Sequence, residues 1–240
     1  MSTGKWVPTM REVACQILDC ELEVVGRLVD ASNATLQASL KGVDPEVKVI
    51  YKPVAGERPL WDFEDGNLAH REYAAFLISD RAGFDLVPHT VLREGPFGFG
   101  MVQEWIEIDE SINVVEYGQS DDSQLRNLAL FDAIINNTDR KFGHLLIDQK
   151  GKLRGCDHGV CFHQEDKLRT VIWQFADLGF SKQEIKLIDQ VESLNLEEML
   201  GNLLTEQEIG AIRIRIKKLR DSNKFPLPSD QWPAVPWPPV

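Results

Sequence analysis

The spacing of apolar and polar positions changes along the chain and divides it into a strand-rich first part and a helical second part. Residues 11–19 read as a short helix. Residues 21–29 and 35–40 read as strands joined through Asp-Ala-Ser-Asn-Ala at 30–34, a run of turn formers that predicts a hairpin. Residues 47–51 alternate as a third strand, ended by Lys52-Pro53 because proline donates nothing to a central ladder. After a loop over 56–66, Asn67 stands where it would N-cap a helix over 68–79. Residues 87–93 and 100–106 follow as strands, split by a turn over 94–98 that contains Gly and Pro.

From Ser123 the period becomes helical to about Asn136, where a polar run begins. Residues 145–148 and 153–156 form a hairpin around 149–151, and beyond Val171 the chain reads as mostly helical to about Asp221. Strands with one helix, then helices with a small hairpin, predict an α+β fold of two lobes. The expected division is a β-rich lobe over 1–106 with a hinge at its end, a mainly helical lobe over 107–224, and a tail over 225–240. That tail is dense in proline, with Trp232 and Trp237 interleaved, and reads as an extended arm packed on the body by its tryptophans.

Size and charge narrow the classes. A chain of 240 residues with 43% hydrophobic content can bury a substantial core. No apolar run reaches the roughly 20 residues that cross a bilayer, and residues 1–12 lack an apolar signal region, so the chain reads as cytoplasmic. A net charge of -12 repels phosphate backbones and anionic surfaces, which excludes nucleic acid as a general partner. The basic run over 213–220 reads as a solvated helix face, with a docking surface as the other reading. Cys15, Cys20, Cys156 and Cys161 read as reduced thiols.

The chemistry concentrates in Asn136-Asn137-Thr138-Asp139-Arg140-Lys141-Phe142-Gly143-His144 and Cys156-Asp157-His158-Gly159. Kinase-like phosphotransferases set a catalytic Asp on a short loop, a metal-binding residue five positions later and a second, metal-binding Asp further on. Asp139, His144 and Asp157 stand in those three places. Alone, Asp139 serves equally well to cap and turn the chain; Asp157, beyond a hairpin, makes a shared metal site possible, since Mg²⁺ takes carboxylate and phosphate oxygens. His144 is the unusual member, because nitrogen suits Mg²⁺ less well than oxygen. It can bind Mn²⁺, hydrogen-bond a phosphate, or hold the loop.

Other residues complete the picture. Lys52 ends a strand, where an ammonium can neutralise nucleotide phosphates. Glu72 lies on the apolar stripe of Leu68 and Phe76 by the i, i+4 rule and needs a partner, for which Lys52 is the candidate. Ser32 and Asn33, with Thr35, sit on the first hairpin turn and would offer donors to phosphate, although the segment lacks a glycine-rich signature. Cys156, His158, Cys161 and His163 form a competing set of zinc-ligand types, read more readily as core cysteines.

At these residues the chain resembles the phosphatidylinositol 3-/4-kinase-like branch of the kinase superfamily, whose catalytic loop reads Asn-x-Asp-Arg. The match is with a small actinobacterial family through Tyr51-Lys52-Pro53-Val54, Gly56-Glu57-Arg58-Pro59-Leu60-Trp61, Asp157-His158-Gly159, Lys167-Leu168-Arg169-Thr170 and the Trp-Pro tail. The chain also resembles HipA-type protein kinases at its Lys-Pro strand end. The resemblance implies a two-lobed protein-kinase-like fold, with Lys52 on phosphates, Glu72 as its partner and Asp139 catalytic. It further implies His144 and Asp157 at the metal, and a hinge over 101–106 where the backbone of Gln103, Glu104 and Trp105 meets adenine. His144 departs from the family, which has Asn there.

The expectation is therefore an ATP-dependent phosphotransferase using Mg²⁺ or Mn²⁺ on a protein or small-molecule hydroxyl. A lipid acceptor is disfavoured by the acidity of the chain. The alternative is a nucleotide-binding pseudokinase acting as a regulatory module.

Overall fold

A computed structural model describes residues 10–28, 34–43, 45–58, 60, 63 and 67–240, with the backbone alone over 10–14. The turn carrying Ser32 and Asn33 lies outside the described residues. The chain divides into two compact units, Met1–Leu60 with His89–Trp105, and Trp61–Pro88 with Ile106–Val240.

The first unit is built on one antiparallel sheet. Its strands are β1 (Leu22–Arg27), β2 (Leu36–Leu40), β3 (Lys48–Pro53), β4 (Thr90–Gly95) and β5 (Gly98–Glu104), in the spatial order β1-β2-β3-β5-β4. Alternation in β3 buries Val49 and Tyr51 with Ala38, Leu40, Val91 and Val102, and Ile17 of helix α1 (Met10–Asp19) joins that core. Arg93 holds the helix by donating to the carbonyls of Ile17 and Cys20, both at 2.7 Å, so a cation meets the negative C-terminal end of the helix. β5 runs unusually close to β3 beside Lys52: a Cβ at Gly100 would lie 2.4 Å from the Lys52 carbonyl oxygen, so only glycine fits.

Several strand boundaries differ from the sequence reading. β3 continues through Lys52 and Pro53, paired with Met101 and Gly100, because Pro53 lacks only an N–H and its neighbours still pair. β4 begins at Thr90 rather than 87, because the Val87 amide is bonded to Ser79 Oγ at 3.1 Å instead of a ladder. β5 starts at Gly98, leaving a tight turn at Pro96-Phe97; the Tyr51 hydroxyl accepts from the Phe97 N–H at 3.2 Å and donates to the Gly98 carbonyl.

The second unit holds helices α2 (Leu68–Arg81), α3 (Val114–Gly118), α4 (Ser123–Ile135), α5 (Lys182–Glu192), α6 (Leu196–Leu200) and α7 (Glu206–Ser222), with the hairpin β6 (Leu145–Ile147) and β7 (Leu153–Gly155). α2 is capped by Asn67, whose side chain accepts from the His70 amide at 2.8 Å. α4 is apolar on nearly every face and is buried from Leu125 to Ile135 with few gaps. Its end is set by Asn136, in the left-handed conformation at φ 52°, where asparagine is tolerated better than most residues.

The stretch from Val171 is not continuous helix. A single tight turn over Trp173–Phe175 precedes α5, and capping boxes at Ser181/Glu184 and Thr205/Glu208 start α5 and α7. The exposed basic residues of α7 are paired within the chain: Arg213 with Glu197, Lys217 with Asp221, Lys218 with Asp166, and Arg220 with Asp189 and Glu192. This neutralised face matches the solvated reading.

Candidate active site

The loop after α4 is fixed from several sides before its acid is considered. Asn136 donates to the carbonyls of His163 and Glu165 at 2.9 and 2.6 Å and accepts from the Lys167 amide at 2.9 Å. Thr138 Oγ1 donates to the Val160 carbonyl at 2.7 Å. The amides of Arg169 and Val171 donate to the carbonyls of Asn137 and Arg140, at 3.0 and 3.1 Å. A loop with so many satisfied polar groups holds one geometry.

A buried ion network ties this loop to the second acid. The guanidinium of Arg140, fully buried, makes a two-pronged bond to Asp132 at 2.9 Å on each arm. It also donates to the Cys156 carbonyl at 2.9 Å and to His158 Nε2 at 2.8 Å. Guanidinium has no acceptor, so His158 Nε2 must be unprotonated; the proton of a neutral ring sits on Nδ1, 3.9 Å from Glu72 Oε2. The paired Asp132 holds the Arg140 guanidinium well above its ordinary range despite full burial. Asn137 extends the network, donating to Asp132 Oδ1 at 3.0 Å and accepting from the Asp139 amide at 3.0 Å.

Asp139 stands at the open edge of this frame, with a third of its side chain exposed and Lys141 Nζ 3.5 Å from Oδ2. Burial pushes its pKa above the ordinary carboxylate value; Lys141 opposes that shift, Asp157 adds to it, and Arg169 lowers it more weakly. Asp157 is half exposed and adopts a left-handed φ of 59°, with Oδ2 3.4 Å from His144 Nε2. The His144 ring is oriented by the Lys141 amide, which donates to Nδ1 at 3.4 Å, and the His144 carbonyl accepts from the Cys156 amide at 3.1 Å. The structure thus brings Asp139, His144 and Asp157 together.

Glu72 is almost completely buried, and its Oε2 accepts the main-chain N–H of His158 at 2.9 Å. The expected partner Lys52 belongs to the other unit. In that unit the Glu104 amide donates to the His89 carbonyl at 2.8 Å and the Trp105 amide to the Lys48 carbonyl at 3.2 Å. Gln103 donates to Thr90 Oγ1 at 2.9 Å, and the buried Trp105 indole N–H has no hydrogen-bond partner among the described residues.

The motifs read from the sequence contain Asn137, Arg140, Lys141 and Arg169 but give them no individual role, and they do not foresee the Asp132–Arg140 pair. Asp132 carried a usable signal, since a carboxylate inside the apolar run of α4 requires a partner.

Asp157 offers the oxygen that a small divalent cation takes, and His144 Nε2 could join it only if the ring proton leaves that nitrogen. Two ligands of one Mg²⁺ lie about 3 Å apart at its coordination distances, close to the 3.4 Å seen here. Among the described residues no group of three or more Cys, His, Asp or Glu comes together as a metal cage. The zinc alternative fails in this geometry. His158 Nε2 is taken by Arg140, Cys161 is enclosed in the core, and His163 accepts from the Glu165 amide at 3.0 Å. All four cysteines are free thiols.

Comparison with known proteins adds the following. No family model matches the chain. It is 38% identical over 270 aligned positions to protein Rv2133c of Mycobacterium tuberculosis, covering 96% of each chain. It is 27% identical over 183 positions to phosphatidylinositol 4-kinase gamma 5 of Arabidopsis thaliana, covering 63% of this chain and 29% of the plant protein. Among solved structures it is similar to the Helicobacter pylori proinflammatory kinase CtkA, with a TM-score of 0.52 and 12% identity over 87% of this chain and 94% of that one. It is also similar to the Golgi casein kinase, with a TM-score of 0.54 and 13% identity over 90% of this chain and 75% of that one. The fold is therefore kinase-like α+β, as the order of elements predicted. Among the described residues no helix is long and apolar enough to cross a membrane.

Proposed function

We propose that this chain, which belongs to the same family as Mycobacterium tuberculosis protein Rv2133c, is an ATP-dependent phosphotransferase acting on a hydroxyl of a protein or small molecule. The observation that carries the reading is the 3.4 Å approach of His144 Nε2 and Asp157 Oδ2 beside Asp139, on a kinase-like fold.

In this reading Asp139 takes the proton of the acceptor hydroxyl and aims its oxygen. Burial, which raises its proton affinity, makes it a better base than an exposed carboxylate. Asn137 fixes the Asp139 backbone from below, and Lys141 and Arg169 add positive charge where phosphate charge moves. His144 and Asp157 would hold Mg²⁺ or Mn²⁺, which when bound neutralises phosphate oxygens. Lys52 is assigned to ATP phosphates, with Ser32 and Asn33 as further phosphate contacts, and the backbone of Gln103, Glu104 and Trp105 to the adenine. Glu72, bonded to the residue after Asp157, holds the metal-bearing segment in place.

A pseudokinase is the second reading, and one observation favours it. With Nδ1 accepting from the Lys141 amide, a neutral His144 carries its proton on Nε2, facing Asp157. That tautomer offers a metal no lone pair at Nε2. The deciding experiment is transfer of labelled γ-phosphate to cell extract, to small hydroxyl compounds and to lipid vesicles, with each of Mg²⁺ and Mn²⁺. Metal-dependent transfer supports the phosphotransferase; ATP and metal binding with no transfer to any acceptor supports the pseudokinase.

A further inference from the structure

Residues 225–240 contain six of the twelve prolines of the chain. Such a segment has few N–H donors, so it offers a neighbour mainly carbonyl oxygens, along a backbone of fixed φ. The second unit answers with donors. The Ala234 carbonyl accepts from the Thr170 amide at 3.0 Å and from the Trp173 indole at 2.8 Å, and the Pro239 carbonyl accepts from the Phe142 amide at 2.9 Å. Lys167 Nζ lies 4.9 Å over the Trp232 ring, and Pro236 is buried.

The donors belong to one strip. Arg140 pairs with Thr170 in a parallel bridge, so 140–142 and 167–173 lie side by side, and Asp139 is the next residue along the first of them. An indole N–H donating to a carbonyl of a proline-rich segment, with prolines and an aromatic seated beside it, is the way grooves hold polyproline-type ligands. The hold is partial: Pro236 and the Trp232 indole nitrogen are buried, while other side chains of the segment stand in solvent. Trp237 is 86% exposed, contrary to the expectation that both tryptophans pack the tail, and Leu227 and Val235 are exposed as well.

We infer that the strip formed by 140–142 and 167–173 is a binding site for extended proline-rich peptide, and that residues 232–239 are its internal, displaceable occupant. The tail defines what the site reads: an aromatic ring, a carbonyl two residues later, a proline four residues later and a second carbonyl seven residues later. Binding is independent of ATP. If the phosphotransferase reading also holds, a polypeptide that displaces the tail is delivered to the segment bearing Asp139.

The test uses a fluorescent peptide of residues 229–240 and two full-length proteins, without nucleotide. One is the parent; in the other, 229–240 are replaced by a Gly-Ser repeat of equal length. Anisotropy should show the replaced-tail protein binding the peptide at least ~10-fold tighter than the parent, whose site is already filled. Adding Trp173→Phe should weaken that binding by roughly 2- to 10-fold, the loss of one hydrogen bond, and Pro236→Gly in the peptide should weaken it too. Hydrogen exchange at Thr170 and Phe142 should be slow in the parent, fast in the replaced-tail protein and slow again with peptide. Equal affinity for both proteins, or no binding to a folded replaced-tail protein, overturns the inference. Should that protein not fold, Trp232→Ala in the full chain gives the same comparison, and affinity equal to the parent overturns it.

Discussion

The Glu72 carboxylate accepts the main-chain N–H of His158 at 2.9 Å, fastening helix α2 directly to the residue that follows Asp157. A carboxylate on an apolar helix face is costly unless it is bonded, and this bond gives Glu72 a structural reason to be buried beside the candidate metal ligands.

Glu72→Ala leaves a buried N–H unpaired and should cost about 1–3 kcal/mol of stability, whereas Glu72→Gln keeps an acceptor oxygen in place and should cost much less. Thermal melting separates the two. Turnover should fall in both, more steeply in the alanine variant. Equal melting temperatures for Glu72→Ala and the parent would show the bond to be unimportant.

Asp132 and Arg140 are fully buried and bonded on two arms. Removing one partner strands the other charge, so Asp132→Ala should lose about 3–5 kcal/mol in urea unfolding. Because Arg140 also bonds the Cys156 carbonyl and His158, the damage should reach Asp157. Weaker divalent-metal affinity in any Asp132 variant that still folds would show this.

Asp139 binds its proton more tightly in the folded protein than a free carboxylate does, because of burial. Its ionisation therefore destabilises the fold, and stability is lost as pH rises through the folded pKa. Asp139→Asn should melt above the parent at neutral pH, and the gap should close in acid. The acid limb of turnover should lie above the ordinary carboxylate range. It should move up in Lys141→Met, which removes a charge that favours the carboxylate, and down in Asp157→Asn, which removes one that opposes it. A limb unmoved by either change would contradict this origin of the shift.

His144→Asn replaces a ring nitrogen with an amide oxygen beside Asp157. Mg²⁺ favours oxygen more strongly than Mn²⁺ does, so the ratio of Mg²⁺- to Mn²⁺-supported activity should rise. An unchanged ratio would place His144 outside the metal site.

The sequence carried the α+β order and the meeting of Asp139, His144 and Asp157, because the short hairpin of β6 and β7 leaves the chain little freedom between them. It carried the Asn67 cap through local chemistry. It did not carry the partner of Arg140, since that pairing depends on the left-handed cap at Asn136 turning the chain back on α4. Nor did it reveal the separate starts of α5, α6 and α7, where helical propensity runs through and only the caps mark the breaks. Proline content announced an extended tail but not which tryptophan is packed, because that choice rests on Lys167, far away in sequence.

In the proposed reaction Asp139 serves the acceptor hydroxyl, while His144 and Asp157 beside it serve the metal. That division of roles is tested most directly by measuring consumption of γ-labelled ATP and ATP binding, side by side, in the parent and Asp139→Asn. The account predicts a loss of turnover of at least ~100-fold, the reach of a general base, with nucleotide affinity within about threefold of the parent, a difference of under 1 kcal/mol. Turnover in Asp139→Asn equal to that of the parent would contradict it.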